Sequence, residues 1–402
     1  MSRRRRLLIL SSTYPRWHGD HEPGFVHELA RRLTPDFEVS VLCPHAAGAA
    51  RRECLDGVEV TRYRYAPDAL EVLVNNGGIA SNLARSPWKM LLVPLFLASQ
   101  AVALLRMLRW IRPDVLHAHW ILPQGLLVAG LGALGIRVPP MVVTSHGADL
   151  FAFRSRAMRG IKRFVLHRAD AITVVSEGMP AVAQGLAGRG KPVHVESMGV
   201  DLEGRFHPEP GSARSSSEVL FVGRLVEKKG LDVLLAAFAA VRARRPDATL
   251  TVAGFGPDLD ARRRQADVLG IAHAVDFVGA VTQESLPALY RRAAVLAAPF
   301  VEASSGDQEG LGLVMVEALG CACPVVASDL PATRTLGDAC PALTLVPPRD
   351  AAALAEALLR ILQGGRPLDF SGIAGFDWAA RAPAYAGLLA DTASGTERRS
   401  NA

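Results

Sequence analysis

Cysteine is scarce in this 402-residue chain and carries no paired spacing: Cys43, Cys54, Cys321, Cys323 and Cys340 are odd in number and form no C-x-x-C run. That argues against a disulfide framework and a zinc site, and leaves five small residues suited to a buried apolar environment. Long apolar runs are lacking too. The longest, "MLLVPLFLASQAVALL" at residues 90–105, holds Gln100 and falls short of the ~20 residues a membrane-spanning helix needs. It reads as a buried or half-buried helix, or as a face laid on a membrane with help from Trp88, Lys89, Arg106, Arg109 and Trp110. Only "LLIL" follows the basic start "RRRR", too short for a signal peptide and with no small-residue cleavage site after it, so the cytoplasm is the expected compartment. A net charge of +6 favours anionic partners weakly, since much of it sits in that basic start and on arginine-studded helices.

Half of the residues are hydrophobic, ample for two domains. Short runs rich in Val, Ile and Leu alternate with helical patterns: "RLLILSS", "VSVLCP", "DVLHAH", "PMVVTSHG" and "AITVVS", then "EVLFVGR", "TLTVAGFG", "VDFVG", "AVLAAP" and "CPVVAS". Runs that are apolar throughout mark strands covered on both faces of a parallel sheet, with helices as crossovers. The expected class is α/β, two Rossmann-like doubly wound parallel-sheet domains facing across a cleft. The polar stretch "GSARSSS" at 211–217 reads as the linker, and the last dozen residues read as disordered. In open parallel sheets ligands bind beyond the carboxyl ends of strands, so the chemistry belongs on loops that follow strands.

In "LFVGRLVEKKGLDVLLAAF" Arg224 and Lys229 project from the loop after a strand, and Gly230 opens a helix. Two cations beside a helix N-terminus neutralise a diphosphate; the bland alternative is two solvated surface charges, the reading given to Glu227 and Lys228. In "DQEGLGLVMVEALG" a helix starting near Leu313 puts Glu309 on the preceding loop and Glu317 about one turn inside. The backbone of Gly310, Leu311, Gly312 and Leu313 offers N–H donors to phosphate, while carboxylates suit hydroxyl partners: ribose hydroxyls for Glu317 and sugar hydroxyls for Glu309, or else the pair is an exposed cap and a surface charge. "VAGFGPDLDA" is a poor dinucleotide fingerprint, since the third glycine is missing, and Asp258 with Asp260 reads as capping of a helix start. In the first half, Gly24 opens a helix where backbone can approach an anion, or lies in a merely flexible loop. His117, His119 and His146 lie just beyond strands. No fixed spacing supports a three-histidine metal site, His117 and His119 read as satisfied buried imidazoles, and His146, on the tight turn "SHG", is the functional candidate.

Taken in order, "TSHGAD", "GVDLEGRF", "VGRLVEKKG", "VAGFGP", the E-x7-E pair of "EGLGLVMVE", "PVVAS", "LVPPRDAAALAEAL" and "FDWAARAPAYAGLL" resemble the family 4, B-type (GT-B) retaining glycosyltransferases along nearly the whole chain. The resemblance implies an acceptor-binding domain at 1–204, a nucleotide-sugar donor domain at 205–372, and a segment at 373–402 that crosses back to the first domain. It implies that Arg224 and Lys229 hold the donor diphosphate, that Glu317 binds the ribose, and that Glu309 with the Gly310–Leu313 backbone engages the sugar and phosphates. His146 then contacts the sugar near the reacting carbon and Gly24 lines the phosphate side. Met198 stands where relatives carry asparagine, which leaves Gly199 and Asp201 as structural anchors, and the proline-glutamate pair usual after "PVVAS" is absent.

The expected reaction is metal-independent transfer of a hexose from a UDP- or GDP-linked donor to a hydroxyl of a glycan or lipid-linked acceptor, as in polysaccharide biosynthesis. No further cofactor and no nucleic-acid partner is expected, and attachment to a membrane surface is open. The competing readings are an epimerase or phosphorylase on the same architecture, a non-catalytic nucleotide-sugar sensor or membrane scaffold, and an NAD oxidoreductase.

Overall fold

The computed structural model describes the chain apart from residues 1–2, 21, 23, 76–77, 366–368 and 401–402, and apart from the side chains at 80–81, 84 and 396–400. The described residues form two compact units, 1–198 with 381–402, and 199–380.

The sheet of the first unit comprises β1 (Arg5–Leu10), β2 (Phe37–Pro44), β3 (Arg52–Leu55), β4 (Val58–Tyr63), β5 (Val115–His119), β6 (Met141–Ser145), β7 (Ala171–Val174) and β8 (Val193–Val195). Its order is β3-β4-β2-β1-β5-β6-β7-β8, and all pairings are parallel except β3 with β4. The second unit contains β9 (Glu218–Val222), β10 (Thr249–Ala253), β11 (Val275–Gly279), β12 (Val295–Ala298), β13 (Val325–Ser328) and β14 (Leu343–Val346), all parallel, in the order β11-β10-β9-β12-β13-β14. Each sheet therefore starts near its middle, grows one way and then reverses, which is the doubly wound α/β arrangement expected from the sequence. The reversal points, between β1 and β5 and between β9 and β12, are where ligands bind in such sheets.

Why the strands are apolar throughout is visible in the second unit. Val219 and Phe221 of β9 join one core with Leu234, Phe238, Leu354 and Leu358, while Leu220 and Val222 join the other with Tyr290, Met315, Val316 and Leu336. Successive side chains point to opposite faces, and both faces are roofed by helices, so no position in the strand is spared. Burial of one Leu or Phe stabilises by about 1.5–3 kcal/mol, and this double core holds many of them.

Several expectations need correction. "GSARSSS" is not the boundary: the units divide at Met198/Gly199, and Arg214 is anchored inside the second unit, donating to the carbonyls of Tyr290, Ala293 and Cys321. The division therefore departs from 1–204, 205–372 and 373–402, with Asp377 and Trp378 still in the second unit, where they hold residues 200–202, and Arg381 onward in the first. There Tyr385 donates to the Glu196 carbonyl and Arg5 to the Ala390 carbonyl and Ser394 hydroxyl. The tail expected to be disordered is helical as far as Ser400. The apolar run at 90–105 belongs to a continuous helical stretch, Pro87–Ile111, whose 25 residues are long and apolar enough to cross a membrane by length and composition. Only 28% of its most apolar part is buried, so it is neither short nor mostly buried.

Candidate active site

The two strands flanking the reversal point of the second sheet each deliver a loop, 223–230 after β9 and 299–312 after β12. Gly230 brings them together. It sits at φ +68, and a Cβ there would lie 1.8 Å from the Pro299 carbonyl oxygen, so only glycine permits the contact. The seam continues residue by residue: Val301 N–H donates to the Lys228 carbonyl, Ser304 donates through N and Oγ to the Glu227 carboxylate at 2.9 and 2.7 Å, and Lys228 Nζ reaches Asp307 Oδ1 at 3.2 Å and the Gln308 carbonyl. Glu227 and Lys228 are thus not idle surface charges, as their sequence suggested, but fasten the two loops.

Lys229 completes the seam with an ion pair to Glu309, Nζ to Oε2 at 2.8 Å, and its ammonium lies 4.7 Å from the Phe300 ring centre. Glu309 is largely buried, which alone would raise its pKa, but Lys229, Lys228 and Arg224 together bring the carboxyl down to about 2. Arg224, Lys229 and Glu309 therefore share one electrostatic neighbourhood. From Gly310 to Leu313, four consecutive backbone N–H groups find no acceptor among the described residues, and they lead into the helix Leu313–Gly320. A row of unsatisfied donors at a helix N-terminus is an anion-binding cradle.

Glu317 lies within that helix, as expected, and is buried. Burial pushes its pKa up to about 7, against the opposing pull of the Tyr290 hydroxyl bond, Arg205 and Lys229. Tyr290 Oη donates to Glu317 Oε2 at 2.7 Å.

The glycines of "VAGFG" have a packing role. A Cβ at Gly254 would meet the Gly223 carbonyl at 1.9 Å and one at Gly256 the Leu225 carbonyl at 2.4 Å, so both allow the Arg224 loop to lie close. Asp258 occupies the N-cap of Leu259–Val268 without a side-chain capping bond, contrary to expectation, and Asp260 sits in the first turn.

In the first unit Gly24 is the N-cap of Phe25–Arg32, after β1, with φ −90. His117 and His119 are the third and last residues of β5 and His146 follows β6, so two of the three are in a strand instead of beyond it. His119 Nδ1 and His146 Nε2 are 3.0 Å apart with stacked rings, and His117 Nε2 bonds Thr144 Oγ1 at 2.7 Å. The expectation that His117 and His119 are satisfied holds for one nitrogen each. His117 Nδ1 and His119 Nε2 have no partner among the described residues. Burial lowers His117 and His146 to about 3, with His117 adding to the effect on His146, and, helped by His117 and His146, holds His119 well below its ordinary value, so all three rings are neutral at physiological pH. The H-x-H spacing of His117 and His119, which sends both rings to one face of a strand, is the sequence signal for this cluster. Among the described residues one group of potential metal donors gathers elsewhere, His45, Asp68 and Glu71, with Arg64 already paired to both carboxylates.

The profile described as "Glycosyltransferase Family 4" matches residues 25–204, and that described as "Glycosyl transferases group 1" matches residues 216–364. The phosphatidyl-myo-inositol mannosyltransferase of Mycobacterium leprae is 31% identical over 267 residues, covering 64% of this chain and 67% of that protein. The chain belongs to the group 1, family 4 glycosyltransferases. A further relative of this chain is the GDP-mannose-dependent alpha-(1-6)-phosphatidylinositol monomannoside mannosyltransferase of Mycolicibacterium smegmatis, 32% identical over 250 residues, 60% of this chain and 65% of that one. The chain spans from 51% to 67% of the length of these and similar curated relatives. Among solved structures, sucrose-phosphate synthase of Thermosynechococcus elongatus matches the glycosyltransferase fold with a TM-score of 0.75 at 20% identity, covering 98% of this chain and all of that one.

Proposed function

We propose that this glycosyltransferase moves a hexose from a nucleoside-diphosphate sugar to an acceptor hydroxyl on a glycan or lipid-linked glycan, with the anomeric configuration retained. The observation that carries the proposal is the cradle in the second unit: four unsatisfied N–H groups beside Arg224 and Lys229, with Glu309 and Glu317 close by. Cations and N–H dipoles suit a diphosphate, and the carboxylates suit the hydroxyls on either side of it. Glu317 is assigned to the ribose and Glu309 to the transferred sugar. Gly24 keeps the phosphate side of the donor and His146 the sugar near its reacting carbon, roles that come from the family resemblance.

In the reaction the bond from the anomeric carbon to the diphosphate oxygen breaks and one to the acceptor oxygen forms on the same face. The acceptor proton passes to the departing diphosphate, whose charge Arg224, Lys229 and the helix N-terminus stabilise. These groups supply the electrostatics that a metal supplies elsewhere, and neither a metal nor a cofactor beyond the nucleotide sugar is assigned. Relatives named for GDP-mannose and phosphatidylinositol acceptors favour a GDP-linked donor and a lipid-linked acceptor of the polysaccharide-building type.

Work at the inner face of a membrane fits the stretch Pro87–Ile111. Leu92, Phe96, Gln100, Leu104 and Met107 face inward, while Trp88, Met90, Leu91, Leu95, Val102 and Trp110 are exposed beside Arg106 and Arg109. An apolar face edged by cations suits an anionic lipid surface. Screening UDP- and GDP-sugars for binding, and then for transfer with products weighed by mass spectrometry, tests the whole reading. Free sugar phosphate, an epimerised donor, or no product despite binding would each overturn it.

A further inference from the structure

The Glu317 carboxylate has one hydrogen-bond partner among the described residues, and that partner is a phenol built into the core. Tyr290 is wholly buried on the helix Leu286–Arg292; its ring packs edge-on against Phe206, and its backbone carbonyl accepts from Arg214. The hydroxyl therefore cannot swing away from the carboxylate it meets at 2.7 Å. Burial and the neighbouring Glu317 raise the pKa of the phenol well above its ordinary value, so the proton stays on Tyr290 and the bond runs one way, from hydroxyl to carboxylate. Oε2 is committed to this bond. Oε1 is left without a bonded partner among the described residues.

We infer that Tyr290 is a positioning residue for donor binding: it fixes the Glu317 carboxylate in one orientation, stabilises its charged form, and leaves the second oxygen to accept from the ligand. The inference rests on reading Glu317 as the carboxylate that takes the ribose. No acidic or basic signature marks Tyr290 in the sequence; a tyrosine in "LPALYRRAAVL" passes as one more core residue.

The charge on Glu317 is finely placed. Its surroundings supply Tyr290 from the helix Leu286–Arg292, Arg205 from the segment before β9, Lys229 from the loop after β9, and Cys321 from the end of its own helix, a thiol pushed up to about 12 and so uncharged. Burial leaves the carboxyl near 7, and the Tyr290 bond opposes that rise. Removing the hydroxyl raises the pKa further, so at neutral pH more of the population holds a proton and loses an acceptor for ribose.

The test is titration of the full chain with UDP and with GDP by calorimetry, from about pH 6 to about pH 9, in the wild type and in Tyr290→Phe, Tyr290→3-fluorotyrosine and Glu317→Gln. Wild-type affinity should rise through about pH 7 and level off. In Tyr290→Phe the rise should move to higher pH, with affinity about tenfold weaker at pH 7 and nearly restored at pH 9. The fluorinated phenol, a stronger donor that keeps the packing, should move it the other way, which decides the matter even if the phenylalanine variant folds poorly. Glu317→Gln should flatten the profile. Tyrosine variants whose profiles overlay the wild type, or lose affinity equally at every pH, overturn the positioning role alone when Glu317→Gln still flattens the curve. A wild type that binds neither nucleotide, or a Glu317→Gln variant that behaves like it, overturns the ribose assignment and the positioning role with it.

Discussion

At the carboxyl edge of the first sheet the histidines are neutral and lean on one another: three buried imidazoles, two of them stacked, with one nitrogen each of His117 and His119 unbonded among the described residues, beside a buried carboxyl, Asp149, held by Ser145 and backbone N–H groups. At the same edge of the second sheet the groups are charged and cross-paired, Glu227 with Ser304, Lys228 with Asp307, Lys229 with Glu309. Both sets occupy loops and strand ends around the reversal point of a doubly wound sheet. The difference shows how much more the topology fixes the place of a site than its chemistry. A neutral imidazole pair can give and accept hydrogen bonds from hydroxyls but stabilises a leaving anion poorly. An arginine and a lysine beside free N–H groups do the reverse.

The largest effect that sharpens this contrast belongs to the second unit. Arg224→Ala should lower turnover by ~10²–10³, about 3 kcal/mol of lost charge stabilisation, with the melting temperature little changed; Lys229→Ala should lower turnover as much and also lower the melting temperature, because it strips the largely buried Glu309 of its ion pair. Transfer near the wild-type rate by both variants would remove them from the site. In the first unit His146→Ala should cost less, about tenfold in kcat/KM, as fits one hydrogen bond to a sugar instead of a charge on the leaving group. A loss as large as that of Lys229→Ala, with a pH-rate limb near the ordinary histidine pKa, would show that the imidazole acts as an acid or base.

Acid should distinguish the units as well. His117, His119 and His146 titrate in the folded chain well below their ordinary 6.5, burial being the main cause. Below that value the unfolded chain takes up protons that the folded unit refuses, so stability is lost as pH falls from about 6.5 toward about 3. In the second unit Glu309, brought to about 2, contributes stability above 4.5 that is lost only as pH falls toward 2. Glu317, raised to about 7, contributes stability below 4.5 that is lost as pH rises through 7. Trp17, Trp88, Trp110 and Trp120 lie in the first unit and Trp378 in the second, so tryptophan fluorescence reports mainly the first. Its thermal midpoint should fall as pH is lowered from about 7 to about 5; a flat response would mean that the rings accept protons without cost.

The legible parts of the fold were those where one physical rule acts alone. "EVLFV" and "VVAS" are apolar throughout because both faces are roofed, and they read as buried strands at once. "VEVTRY" (β4) was passed over because its burial alternates near the sheet edge, and "RECL" (β3) because it is a short half-exposed edge. Arg214 in "GSARSSS" was invisible as an anchor, since its partners are backbone carbonyls of distant residues that have no sequence signature. The same holds for the site: the charges and glycines of the two loops were readable, whereas the residue-by-residue seam between Glu227–Lys229 and Ser304–Glu309 depends on a contact that only Gly230 permits.

Two glycines, one in each unit, make the smallest and cleanest comparison. At Gly230 a Cβ would collide with Pro299, so alanine there should cost stability and activity together. Gly24 is different. Its φ is −90, and among the described residues an added Cβ would meet Pro15 Cγ alone, at 3.9 Å, an ordinary contact. Nothing among the described residues therefore requires glycine at this position. Alanine is a poorer N-cap than glycine, while it restricts the unfolded chain, and the two effects offset within about 1 kcal/mol. If the donor phosphates approach the backbone here, the methyl group meets the ligand instead of the protein, and Gly24→Ala should raise KM for the nucleotide sugar several-fold at an unchanged melting temperature. Unchanged KM would return Gly24 to an ordinary loop, and a lowered melting temperature would place its role in the fold, as at Gly230.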